Sequence, residues 1–237
     1  MGSSIIIAPV VAGKERRLQE ITQYIREHKA DHEKSRDRAG VTMERAYSME
    51  TPQGMLVIAY WESRDDFAKT MQVLARSDLP FDGWFLDTLK DVHGIDLRQA
   101  PAGSPPEVLF DWVDPQVKER KRGLAFASPV VAGKTEKGRA FAAEAFGKRV
   151  NELTASRRKI GGTHEFGVLH HTPMGDFVGV YLEGDDPKAA NASFARSSDA
   201  YDVWFKKEAG EVLGQDFNKP LPAIQEIFDY QRAPVRV

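Results

Sequence analysis

Apolar residues along this chain recur at alternating positions in some stretches and at every third or fourth position in others, and the two patterns follow one another twice in the same order. Ile5 to Val11 is rich in β-branched residues and ends at Gly13, the pattern of a strand leaving through a turn. From Glu15 to about Arg38, Leu18, Ile21, Ile25, His28 and His32 lie three or four apart, which predicts one long amphipathic helix. Met43–Glu50 and Met55–Glu62 flank Thr51-Pro52-Gln53-Gly54 and read as a β-hairpin. Asp65 and Asp66 suit the start of a second helix, because carboxylates favour its positive N-terminal end; Phe67, Met71, Leu74 and Ala75 form its apolar side. A third helical piece runs from about Phe81 to His93 and stops at Gly94. After a Pro- and Gly-rich loop from Gln99 to Pro106, a last strand spans Val108 to Val113. The order β-α-β-β-α-α-β is that of a ferredoxin-like, split-βαβ unit.

The second half repeats the first. Ala8-Pro9-Val10-Val11-Ala12-Gly13-Lys14 returns as Ser128-Pro129-Val130-Val131-Ala132-Gly133-Lys134, 120 residues on. "SRDRAGVTME" (Ser35–Glu44) lies over "SRRKIGGTHE" (Ser156–Glu165), and Thr51-Pro52-Gln53-Gly54 over Thr172-Pro173-Met174-Gly175, both shifted by 121. Asp82-Gly83-Trp84-Phe85 meets Asp202-Val203-Trp204-Phe205 at 120 again. A long period present twice means a duplicated domain and not a solenoid of short units. The expected halves are residues 1–116 and 117–237. A sheet with helices on one side needs a partner for its bare face, and two copies in one chain would supply each other as half-barrels.

Composition narrows the chemistry. The 237 residues, 41% hydrophobic and 29% charged, suit two domains of a globular protein. A net charge of −2 gives no field to gather nucleic acid or a membrane surface, and no apolar run approaches the roughly 18 residues of a membrane span. A cytoplasmic location is the default expectation. The absence of cysteine excludes disulfides, thiolate nucleophiles and zinc-cysteine sites. Gly13-Lys14 and Gly133-Lys134 resemble the end of a phosphate loop but lack its earlier glycines. Asp82 and Asp202 look like helix N-caps, and Trp84 and Trp204 are expected to pack the third helix on its sheet, where truncation to alanine would cost about 3–5 kcal/mol.

The element order, the Val-x-Gly-Lys exit from the first strand, Tyr60-Trp61-Glu62-Ser63 at the end of the third and the aromatic third helix together resemble the dimeric α/β-barrel superfamily. That group includes antibiotic-biosynthesis monooxygenases, stress-responsive A/B-barrel proteins with cyclase and isomerase relatives, and haem-binding chlorite-dismutase-like proteins. The Ser-x-x-x-Phe/Tyr-Asp-x-Trp stretch is also similar to single-repeat bacterial members. The resemblance implies an intramolecular α+β barrel with a small-molecule ligand in its interior.

Pairing Met49 with Val57 puts Glu44, Tyr60 and Glu62, and their counterparts Glu165, Tyr181 and Glu183, on one face, expected to be the interior. Glu44, Glu165, Tyr60, Tyr181 and His171 are the candidate catalytic residues, and Glu50, Trp61, Glu62 and Glu183 candidate substrate contacts. Burial would raise the pKa of a carboxylate there and suit it to proton transfer. On that reading, glutamine at 44 and 165 leaves folding intact and abolishes binding. The same residues could instead form a buried hydrogen-bond network. A one-residue slip of register would exchange the faces and bring Trp61 inward.

Histidines offer no metal chelate: His170 and His171 face opposite ways, and His164 and His170 stand about 20 Å apart. His28 and His32 lie on the packing stripe and read as structural, while an axial haem ligand could come only from His93, His164 or His171. No metal and no cofactor are expected. The leading function is cofactor-independent oxygenation, or proton-transfer cyclisation or isomerisation, of an aromatic or polyketide-like compound. The alternative is a non-catalytic ligand-binding or stress-related structural protein, favoured by a cavity below roughly 300 Å³. The chain could be a monomer or a homodimer.

Overall fold

A computed structural model describes residues 2–99, 105–172 and 175–232. The first copy consists of β1 (Gly2–Pro9), α1 (Glu15–Glu27), α2 (Lys29–Arg38), β2 (Val41–Thr51), β3 (Gly54–Ser63), α3 (Phe67–Ala75), α4 (Pro80–His93) and β4 (Glu107–Val113). The second consists of β5 (Arg122–Pro129), α5 (Thr135–Ala143), a π-turn (Glu144–Lys148), α6 (Val150–Lys159), β6 (Gly162–Thr172), β7 (Gly175–Gly184), α7 (Pro187–Arg196), α8 (Ala200–Leu213) and β8 (Ile224–Gln231). These form two four-stranded antiparallel sheets with helices, an α+β fold. Pro173 and Met174 of the second expected hairpin turn, and residues 100–104 of the expected loop, lie outside the described residues.

The strand orders are β1-β3-β2-β8 and β4-β6-β7-β5. Each copy's last strand therefore pairs in the sheet of the other. The compact units are 1–105 with 225–237, and 106–224, so they differ from the sequence halves 1–116 and 117–237. Within the first unit, the Arg232 backbone N–H donates to Thr42 O at 3.0 Å and Arg45 Nε to Asp229 at 2.9 Å, fastening β8 along β2.

The repeated Pro-Val-Val-Ala-Gly-Lys phrase is the bend from strand into helix. Gly13 and Gly133 take φ of +83° and +76°, a region that favours glycine, and Lys14 and Lys134 return their amides to Val11 and Val131 at 2.9 Å. Leu18, Ile21 and Ile25 bury the α1 stripe against Ala46, Val57, Phe81, Phe85 and Ile227.

The expected single helix over 15–38 breaks at His28, whose ring Nδ1–H and backbone N–H both donate to Tyr24 O, at 3.0 and 2.9 Å. At the corresponding place in the second unit the helix carries the π-turn, which absorbs the one residue by which the shift grows from 120 to 121. Asp66 caps α3 by accepting from the Lys69 amide at 2.8 Å. Asp82 and Asp202 are not caps: they lie inside the first turns of α4 and α8 and accept from Ser35 and Ser156. Trp84 and Trp204 are half-buried and pack, as expected, against clusters that include sheet residues, Ala46, Val57 and Ile227 for Trp84 and Trp112 for Trp204. Trp84 stacks on Tyr24 of α1 at 3.7 Å, and Trp204 beneath Arg149 at 4.0 Å.

Candidate functional site

β2 pairs with β3 so that Met49 faces Leu56, Arg45 faces Tyr60 and Glu44 faces Trp61. The Met49–Val57 pairing expected from sequence is off by one residue, and the slip redistributes the candidates. Glu44 and Glu165 share the helix-covered face with Trp61 and Leu182, whereas Tyr60, Glu62, Tyr181 and Glu183 point to the opposite face.

On the helix side of the first unit, Glu44 meets a fully buried guanidinium. Arg36 of α2 donates from Nε to Oε2 at 2.6 Å and from Nη2 to Oε1 at 3.2 Å, and His32 Nε2 lies 3.2 Å from Oε2. Arg36 Nη1 donates to Ser35 Oγ at 2.9 Å, and Ser35 to Asp82. The Phe85 and Trp61 rings sandwich the guanidinium at 4.4 and 5.2 Å. Burial pushes the Glu44 carboxyl up, but Arg36 and His32 more than reverse it and hold it below the usual carboxylate range. The expected raised pKa is thus overturned for Glu44 by a charge that sequence reading did not place beside it.

The second unit repeats the arrangement. Arg157 Nε donates to Glu165 at 2.5 Å, Nη1 to Ser156 at 3.0 Å, and Ser156 to Asp202 at 2.5 Å. Here Phe194 and Phe205 cover the guanidinium, each at 4.7 Å. Leu182 stands where the first copy has Trp61, and Phe194 where it has Leu74, so the aromatic cover has moved from sheet to helix. The Ser-Arg pair eight residues before each glutamate is identical in both copies, and that was the available signal for this network.

Each unit also holds a cavity between its sheet and its helices. The first, of about 100 Å³, is lined by apolar side chains including Leu74, Phe85 and Leu86, together with Glu44, Trp61 and His93. The second, of about 120 Å³, is lined by Phe126, Phe146, Leu182, Phe194, Phe205 and Leu213 among others. Phe110 lies flat on Phe146 of the π-turn at 3.8 Å and over Gly167, where any Cβ would come within 2.7 Å of three ring atoms.

Two polar side chains among the first cavity's lining residues stand out, although the cavity wall itself is almost wholly apolar. The buried Trp61 indole N–H has no acceptor among the described residues. His93 gives its Nδ1–H to Pro9 O at 2.9 Å, which fixes the neutral tautomer with its lone pair on Nε2. Burial lowers the His93 pKa, only partly offset by the Pro9 carbonyl. Sequence reading weighed His93 only as a haem ligand.

On the opposite face, Tyr60 donates to Glu62 at 2.6 Å and Tyr181 to Glu183 at 2.5 Å. Arg120 Nη2 donates to Glu183 at 2.7 Å and reaches His164 Nδ1 at 3.3 Å, while His164 Nε2 donates to Asp111 at 2.9 Å. His171 and Glu50 lie apart from both sets. Half-exposed His171 pairs with Asp176 at 2.7 Å, and Glu50 is exposed on β2. Among the described residues no group of three histidines or carboxylates could hold a metal ion, and no helix is long and apolar enough to cross a membrane.

No family model matches the chain, and no curated protein does. Solved structures do. A candidate monooxygenase from Lactobacillus acidophilus NCFM superposes with a TM-score of 0.54 at 9% identity, over 98% of this chain and 97% of that one. A candidate monooxygenase from Fusobacterium nucleatum subsp. nucleatum gives 0.50 at 9% identity over the same shares. An anthrone oxidase-like protein gives 0.47 at 12% identity, over 97% of this chain and 90% of that one. The chain shares with the first two an α+β fold that runs through both of its repeats.

Proposed function

We propose that the chain is a small-molecule enzyme that takes an aromatic compound into the helix-covered cavities and oxygenates it, or moves a proton within it, without a resident cofactor. The observation that carries the reading is the pair of cavities between sheet and helices, whose walls are built almost entirely from aliphatic and aromatic side chains, with a buried neutral His93 among the lining residues of the first. Both reactions begin by removing a proton from an acidic O–H or C–H, which an imidazole lone pair in a dry site can accept. For oxygenation of a phenol, dioxygen supplies the oxidant. One oxygen atom takes the place of the hydrogen on a ring carbon to give a quinone carbonyl, the hydroxyl loses its proton to become the second carbonyl, and these two hydrogens leave with the other oxygen atom as water.

Size narrows the substrate. About 100–120 Å³ suits one aromatic ring and not a polycyclic polyketide. The same volumes fall below the roughly 300 Å³ usual for ligand sites and favour the second reading, a protein that binds a small aromatic compound without transforming it. Oxygen uptake and product analysis with a panel of single-ring phenols and their keto isomers separate the two. Dioxygen consumption with quinone formation, or isomer exchange, by protein lacking any Soret or flavin band supports catalysis. Tight binding with neither leaves the binding reading, and a bound chromophore overturns the cofactor-free one.

A further inference from the structure

The structure assigns to the second cavity a preference for aromatic rings that the first does not share. The inference rests on the aromatic reading above and deepens it, because it says which chamber tells an aromatic ring from a saturated one. Duplication makes each cavity a control for the other. Ile6 of β1 and Ile21 of α1 in the first lining are replaced in the second by Phe126 of β5 and Phe141 of α5. Leu74 of α3 and Leu97 beyond α4 are likewise replaced by Phe194 of α7 and Phe217 beyond α8. Four such exchanges alone would fill the space. In the same lining Leu18, Leu89 and Trp61 give way to the smaller Gly138, Ala209 and Leu182, and the second cavity, at about 120 Å³, is no smaller than the first, at about 100 Å³. The chamber has been relined with rings without loss of volume.

The rings are set at angles to one another. Phe141 and Phe194 stand edge-on to Phe205, with centroids at 4.9 and 5.6 Å and planes 73° and 87° apart, and Phe146 of the π-turn is edge-on to the same ring at 6.2 Å. In the first copy the counterpart of Phe205 is Phe85, and Ile21 and Leu74 stand where the second has Phe141 and Phe194. An aromatic guest carries a negative face and a positive edge and can continue the edge-to-face arrangement, whereas a saturated ring has no such quadrupole to offer. Aliphatic walls give both guests the same dispersion contacts. One edge-to-face contact corresponds to about two- to tenfold in affinity. Arg157 and Glu165 in this lining are bound to each other, and Phe194 and Phe205 cover the guanidinium, so the guest that fits is a neutral ring.

The test is a methyl-detected NMR titration of the full chain with benzene and with cyclohexane. The Ile6 and Ile21 methyls report on the first cavity and those of Val178 and Val180 on the second, so each cavity yields its own two dissociation constants. The expected result is a benzene-over-cyclohexane preference at least about fivefold larger in the second cavity than in the first. Phe141→Ile and Phe194→Leu, which install the first copy's residues, should each bring the second cavity's preference toward that of the first while cyclohexane still binds. Equal preferences in the two cavities overturn the inference, as does a preference unchanged in the folded variants or benzene that never enters the second cavity. Should both variants fail to fold, the comparison of the two wild-type cavities decides. The expected ring preference with no turnover of the phenol panel removes the catalytic reading and leaves this inference standing, whereas turnover by a chain whose cavities show equal preferences does the reverse.

Discussion

Arg36 carries a full charge into the first unit at 0% exposure, and everything around it answers that charge: Glu44 in a two-point ion pair, Ser35 and Asp82 behind it, Phe85 and Trp61 on its faces. Removing one partner of such a pair leaves the other uncompensated, so Glu44→Gln should destabilise the protein by about 3–5 kcal/mol in urea unfolding. A change under about 1 kcal/mol would deny the pair its structural part. This runs against the sequence-based expectation that glutamine at 44 and 165 spares folding, because Arg36 stands on a helix eight residues away and strand alternation alone does not bring it to Glu44. His93 makes a separate prediction. Its folded pKa lies below the ordinary value of about 6.5, so as pH falls through that value the unfolded chain takes up a proton that the folded one refuses. The stabilising contribution is complete above about pH 6.5 and is lost toward the lower folded pKa; His93→Leu should flatten urea-measured stability across that window relative to wild type.

The elements were largely legible. Strands, the hairpin and the three helical pieces of each copy follow from periodicity, and the capping carboxylate of α3 from Asp65-Asp66. Two features were not. Strand register turns on one residue of hairpin pairing, which a Thr-Pro-Gln-Gly turn does not specify, and the slip reassigned Glu44 and Glu165 to the helix side. The long first helix looked continuous because His28 fits the three-four spacing, although its ring caps α1 instead. In the second copy the extra residue becomes the π-turn and presents Phe146 to Phe110 over Gly167. A methyl group at that position would collide with the Phe110 ring, so Gly167→Ala should cost about 1–3 kcal/mol. Phe110→Ala in the same chain should recover much of that loss, and additivity of the two in a double-mutant cycle would contradict the close approach.

At the scale of the molecule the duplication was plain in the sequence, but the exchange of last strands was not, because a repeat read in register assigns each strand to its own half. β4 completes the sheet of the second unit and β8 that of the first. A fragment of residues 1–116 should therefore expose the β2 edge and self-associate or remain unfolded on size-exclusion chromatography, whereas a monomer unfolding cooperatively like the full chain would contradict the exchange. The account of function meets at the two apolar cavities between sheet and helices. Its most direct measurement is a crystal structure of the chain soaked with 4-bromophenol, phased on the bromine. The account predicts a bromine peak inside one of these cavities; bromine confined to the protein surface would contradict it.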